Sequence, residues 1–113
     1  MAILVAGLLL AGAWAQEAPR LGKYKIFSYG AVGRPPLFLG HFELQPGGKY
    51  QASNTSKDDF YGGGEYSFDG TSVIWVNGPF KNNGWGGTFT IEREGKTHNI
   101  KLMPRTIATN SND

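Results

Sequence analysis

The sequence predicts an all-β domain: an antiparallel meander of about seven short strands that forms a small barrel or, alternatively, a β-sandwich. Three observations carry this. Apolar and polar residues alternate in short runs, the period of a pleated strand, and beyond the first fifteen residues no window shows a capped 3.6-residue apolar period. Turn-forming clusters punctuate those runs at Pro46-Gly47-Gly48, Asp69-Gly70 and Glu94-Gly95. A Gly-x-aromatic phrase recurs at Gly22, Gly48, Gly64 and Gly87, with Gly40-His41-Phe42 a looser fifth. Gly opens each strand, admitting a bulge or a close neighbour, and the aromatic plugs the core beneath it. The irregular spacing of the phrase argues against a solenoid or propeller. Hairpin-linked strands favour a closed or nearly closed sheet, because closure removes exposed edges.

Residues 1–15 are uncharged, almost wholly apolar, and end in Ala13-Trp14-Ala15, the small-residue pattern cut by a signal peptidase. The run is too short to span a bilayer, so it reads as a cleavable signal peptide, although no Lys or Arg precedes it. Residues 16–113 then form a single β domain, secreted or periplasmic, with no stable membrane anchor. Ninety-eight residues bury roughly two-thirds of their unfolded surface. Cys is absent, so packing without disulfides must hold the fold, and 3 Trp, 5 Tyr and 7 Phe supply the area.

Strand one is read at Gly22 to Tyr29; the segment from Gly30 to Pro36 interrupts it. Strand two runs from Leu37 to Leu44, with Phe38, Gly40, Phe42 and Leu44 on one face. Pro46-Gly47-Gly48 turns it into strand three, Lys49 to Ser53. Asn54 to Gly63 reads as the longest loop of the first half, followed by strand four, Glu65 to Asp69. Asp69-Gly70 is a tight-hairpin pair leading to strand five, Thr71 to Val76. There Val73-Ile74-Trp75-Val76 is apolar on both faces, which predicts the most buried strand and a core position for Trp75. A long loop, Asn77 to Gly86, precedes strand six, Thr88 to Arg93. Strand seven, Thr97 to Leu102, is stopped by Pro104, and Ile107 to Asp113 reads as a frayed polar tail. A mature domain without helix follows.

Gly64-Glu65-Tyr66-Ser67-Phe68-Asp69, Val73-Ile74-Trp75 and Gly78-Pro79-Phe80 together resemble uncharacterised families of small exported bacterial β-domain proteins. The likeness covers about half the chain. It is structural in type and implies no activity.

For chemistry the stock is thin. No nucleophile elbow, zinc-protease helix, phosphate loop or paired-Cys site occurs, so the chain reads as non-enzymatic, and nothing in it implies a cofactor. His41, His98 and Glu43 could converge on zinc, but the plainer reading is of two ordinary sheet histidines. Asp58 and Asp59 match no calcium loop, and Asn54-Thr55-Ser56 fits the glycosylation acceptor pattern. The formal charge is +2, with no run of three basic residues, which argues against nucleic-acid or anionic-membrane partners.

The sharper candidates are loop aromatics with amides beside them: Phe60, Tyr61, Phe80 and Trp85, with Asn77, Asn82 and Asn83. Aromatic faces stack on sugar rings while amides bond hydroxyls, which suits a carbohydrate or small ligand at the barrel mouth. Trp85, Phe80, Tyr61, Asn82 and Asn83 are the ligand-binding set on this reading. Against it stands the need of a small disulfide-free domain to fold those rings back over its own core. A structural or self-associating envelope or extracellular protein is the alternative function.

Overall fold

The computed structural model describes residues 17–30, 32–53 and 60–111, with only the backbone for Phe60 and Tyr61. Residues 1–16, which carry the signal reading, and residues 54–59, which carry the acceptor pattern and the Asp58-Asp59 pair, lie outside the described residues.

Eight antiparallel strands form one nearly closed, barrel-shaped sheet: β1 (Gly22–Ser28), β2 (Leu37–Gln45), β3 (Lys49–Ser53), β4 (Phe60–Phe68), β5 (Val73–Trp75), β6 (Thr88–Glu92), β7 (Thr97–Met103) and β8 (Thr106–Ser111). Their order, β5-β4-β3-β2-β1-β8-β7-β6, is an up-and-down meander that returns on itself where β8 joins β1. The two ends of the sheet then meet. Val73 N–H donates to the Gly87 carbonyl at 2.7 Å, Phe89 N–H to the Thr71 carbonyl at 3.1 Å, and Ser72 bridges to Thr88.

Alternation along the strands sends one face inward. Tyr24 and Ile26, Phe42 and Leu44, Tyr50 and Ala52, Val73 and Trp75, Phe89, Ile100, Leu102 and Ala108 are all buried. The glycine-aromatic phrase puts Tyr24, Phe42, Tyr50 and Phe89 in that core, with Tyr66 half-buried against it. Their rings interlock: Tyr24 stacks on Phe42 at 5.3 Å, and Trp75 meets Phe42 edge-on at 5.6 Å and Tyr50 at 4.9 Å. Such pairs add about 0.5–1.5 kcal/mol each beyond the area they bury.

Four sequence expectations are corrected. The segment read as a frayed tail is β8, which pairs with both β1 and β7 and closes the barrel. Its inward positions are Thr106 and Ala108, small residues that give almost no hydrophobic alternation. Strand β4 begins at Phe60, so Gly62 to Gly64 lie within a strand and not in a loop. The glycines are needed because the chain after β5 crosses them closely: a Cβ on Gly64 would sit 2.5 Å from the Asn77 carbonyl oxygen. The strand Val73–Trp75 is buried on one face only; Ile74 is 46% and Val76 49% exposed, because β5 lies at the sheet's seam with nothing over its outer face among the described residues. Finally, the described residues include one short helix, α1 (Pro79–Asn82), which Pro79 starts and Gly84 follows.

The N-terminal lead is clamped at the opposite end from α1. The Arg20 guanidinium donates to Asn110 Oδ1 at 2.8 Å and to the Lys96 carbonyl at 2.7 Å, and the buried Tyr24 hydroxyl donates to the Arg20 carbonyl at 2.7 Å. Arg20 N–H donates to His98 Nδ1 at 3.1 Å, so that nitrogen must be unprotonated. Burial, and then the Arg20 charge, hold the His98 pKa below its ordinary value.

Two predictions follow from this packing. A Cβ on Gly87 would lie 2.0 Å from the Val73 carbonyl oxygen, so Gly87→Ala should part the β5–β6 seam and lower Tm by many degrees. Gly30→Ala, where an added Cβ meets nothing, should leave Tm within a degree or two of wild type in the same thermal melt. For His98, a folded pKa depressed below the unfolded value near 6.5 means that unfolding takes up a proton in acid. The stability this contact contributes is present above about pH 6.5 and is lost as pH falls through the folded pKa. Denaturant melts across that range should show the loss in wild type, and His98→Gln should flatten it.

Candidate functional site

The residues singled out in the loop after β5 are gathered at one end of the barrel, Phe80 buried and Trp85, Asn82 and Asn83 at the surface. Gly78 leaves β5 with φ +85°, a conformation that favours glycine, and its Cα lies so close to β4 that a Cβ would be 2.6 Å from the Gly63 carbonyl and from Tyr50 Oη. That close crossing aims α1 into the barrel. Phe80 enters the core with no exposed surface, stacks on Tyr50 at 4.7 Å and meets Trp75 and Phe42 edge-on at 4.9 and 5.2 Å. The Tyr50 hydroxyl donates to the Asn77 carbonyl at 2.8 Å and accepts from Phe80 N–H at 3.1 Å, so the plug is polar-bonded as well as packed. Phe80 is therefore part of the core, and its ring has no face to offer a ligand.

Trp85 is half-buried, tilted over Phe80 with ring centroids 4.7 Å apart. The Trp85 backbone N–H donates to the Phe80 carbonyl at 3.2 Å, so the glycine-rich loop is held as a cap over the plug. Asn82 and Asn83 are exposed beside it, their backbone N–H groups donating to the Gly78 and Pro79 carbonyls. Asn77 has a local duty: its Oδ1 accepts from Glu65 N–H at 2.8 Å and its Nδ2 donates to Glu65 Oε1 at 2.9 Å. Tyr61 is on β4, and its side chain, like that of Phe60, lies outside the described residues.

The zinc set does not assemble. His41 and Glu43 alternate with the buried Phe42 and Leu44 and so face outward, whereas His98 faces inward, 5.3 Å from the Phe89 ring. Asp69 is committed to its turn, its Oδ1 accepting from Thr71 N–H at 2.9 Å, Thr71 Oγ1 at 3.0 Å and Ser72 N–H at 2.8 Å. These bonds lower its pKa, the Thr71 amide most.

Outside the barrel, a concavity of about 200 Å³ lies against Lys23, Lys25, Phe27 and Thr109 on β1 and β8. A broader one of about 480 Å³ runs across β6 to β8, past Glu92, Arg93, Thr97 and Asn99 to Tyr29. Both are open troughs on the outer sheet face.

The feature that alternation alone does not reveal is the β1–β2 hairpin. Leu37 is 64% exposed, Leu39 38%, Phe38 36%, Tyr29 44% and Val32 fully so. Phe38 touches Phe27 on β1 at 5.5 Å, and the Tyr29 N–H donates to the Arg105 carbonyl at 2.7 Å. That bond joins the hairpin to the β7–β8 turn, where Met103 is 43% exposed; Gly86 N–H in turn donates to the Leu102 carbonyl at 2.8 Å. Hairpin, turn and Trp85 cap are thus consecutive neighbours around one end of the barrel. A signal was present in the sequence, since Leu37-Phe38-Leu39 puts apolar residues on both faces of a strand flanked by two prolines.

No family model matches the chain, and no curated protein or solved structure is significantly similar to it.

Trp85→Ala removes a half-buried ring and its contact with Phe80, which should cost about 2 kcal/mol, near half of a full core Trp truncation. Denaturant unfolding measures this, and Trp75→Ala in the same series should cost more or prevent folding.

Proposed function

We propose that the chain is a non-enzymatic binding module that works through its outer surface, at the barrel end formed by the β1–β2 hairpin and the β7–β8 turn. One observation carries the reading: the interior is occupied by the protein's own aromatics, Phe80 included, while six of the nine described large apolar side chains that are exposed, Tyr29, Val32, Leu37, Phe38, Leu39 and Met103, belong to this hairpin and turn, Leu21, Ile74 and Val76 lying elsewhere. A contiguous exposed apolar surface is costly to maintain in water and is the usual mark of a contact site. The uncharged run Met1 to Ala15 ending in Ala13-Trp14-Ala15 supports a secreted or periplasmic setting, where such a module would meet envelope or extracellular partners.

A carbohydrate or small ligand at the cap is the second reading, favoured by the half-exposed, backbone-anchored ring of Trp85 with exposed Asn82 and Asn83 beside it. Hydroxyl-radical footprinting of the protein mixed with an envelope fraction separates the two. The first reading expects protection of Tyr29, Leu37, Phe38 and Met103, with Trp85 changed little. Protection confined to Trp85 replaces it with the second, and unchanged oxidation of the hairpin overturns it.

A further inference from the structure

Resting on that reading, we infer that the β1–β2 hairpin end docks on an anionic lipid bilayer surface, with the apolar tip in the interfacial layer and a basic rim against the headgroups. The first argument is shape. Among the described residues, β3 joins β2 only from His41 onward, and the Leu37–Gly40 stretch has β1 as its one strand neighbour. A bulge at Leu39 breaks the alternation, so Phe38 shares the outer face with Phe27 while Leu37, paired with Ser28, takes the opposite face; Leu37, Phe38 and Leu39 are all exposed, as is Val32 at the tip. A hairpin that is apolar on both faces is badly suited to a flat protein partner, which would cover one face. Immersion in a fluid apolar layer covers both faces at once. Tyr29 and the Trp85 cap stand behind the tip, the residue types that favour the boundary between headgroups and hydrocarbon.

The second argument is charge. No acidic residue occurs between Glu17 and Glu43, nor between Glu94 and Asp113, and these two stretches carry Arg20, Lys23, Lys25, Arg34, Lys96, Lys101 and Arg105. Folding makes the two stretches adjacent, because β1 pairs with β8 and β8 with β7. Arg34, Lys101 and Arg105 are exposed around the apolar tip, whereas the described acids lie elsewhere: Glu17 in the N-terminal lead, Glu43 opposite Lys23 far along the β1–β2 pair, and Glu65, Asp69, Glu92 and Glu94 on other strands and turns. The same rim argues against a second copy as occupant, since a symmetric pairing through this tip would oppose Arg34 and Arg105 to their own equivalents. An anionic surface attracts each such residue, strengthening binding about fivefold per charge at moderate salt.

The test is sedimentation of the folded protein with large vesicles, either phosphatidylcholine alone or phosphatidylcholine mixed with phosphatidylglycerol, at low and high salt. Wild type should bind the anionic vesicles at least about tenfold better than the neutral ones, and raising the salt should shrink the difference. Leu37→Ser/Leu39→Ser should abolish binding; these exposed positions leave folding intact, which circular dichroism checks. Arg34→Glu/Arg105→Glu should weaken it at least about twentyfold, while Lys49→Glu at the β2–β3 turn should change it less than about twofold. Three results overturn the inference: no binding to anionic vesicles, binding indifferent to the hairpin variants, or a dimer in sedimentation velocity that Leu37→Ser/Leu39→Ser dissolves. If vesicles fail while hairpin protection by the envelope fraction persists, the outer-surface reading stands and the partner is an acidic envelope macromolecule instead.

Discussion

The structure depends on how an eight-stranded barrel fills its own middle. A barrel of this size has an interior just wide enough for side chains, and any space left empty forfeits dispersion contacts outright. Here β5 is only three residues long and closes the sheet through a thin seam, so the strands alone supply too few inward side chains. Phe80 on α1 is inserted from one end and touches Phe42, Tyr50 and Trp75, which come from three different strands. Without disulfides, that ring cluster is the crosslink. The glycines at Gly62, Gly64 and Gly78 let the connecting backbone come close enough to deliver it.

Filling the middle has a consequence for function. Many small barrels take a ligand inside or at the mouth, and here the interior centre is aromatic packing while the end beside α1 is roofed by Trp85. On the proposed reading, the chemistry offered to a partner is that of the outer surface. There, two features stand apart from an ordinary solvated sheet face: a hairpin exposing apolar residues on both sides, and a set of neighbouring strands bearing only basic charge. The hairpin, with Arg34, Lys101 and Arg105 near it, lies away from the Arg20 clamp that fastens the N-terminal lead to β7 and β8.

Much of the fold was legible because its signal is local. The Gly-x-aromatic phrase announced the core before any pairing was known, and Pro46-Gly47-Gly48 and Asp69-Gly70 placed their hairpins correctly. What was missed depends on contacts far apart in sequence. Strand β8 points Thr106 and Ala108 inward, and such small residues announce themselves only once β1 is seen beside them. Gly62 to Gly64 reads as a loop until the crossing chain from Asn77 to Pro79 supplies the reason for its bareness. Phe80 looked like a loop aromatic because a four-residue helix is too short to show a period. Charge followed the same rule: a search for basic runs finds scatter, whereas β1–β8 and β8–β7 pairing brings two acid-free stretches of the sequence side by side.

The account stands or falls on the Phe80 plug, and aromatic nuclear Overhauser spectra of the folded protein in solution report on it directly. Strong cross-peaks from the Phe80 ring to the rings of Tyr50, Phe42 and Trp75, together with slow exchange of the Phe80 amide held by Tyr50, are the predicted result. A Phe80 ring that contacts only its sequence neighbours and carries a rapidly exchanging amide would mean an unplugged barrel, and would return the site of function to its interior.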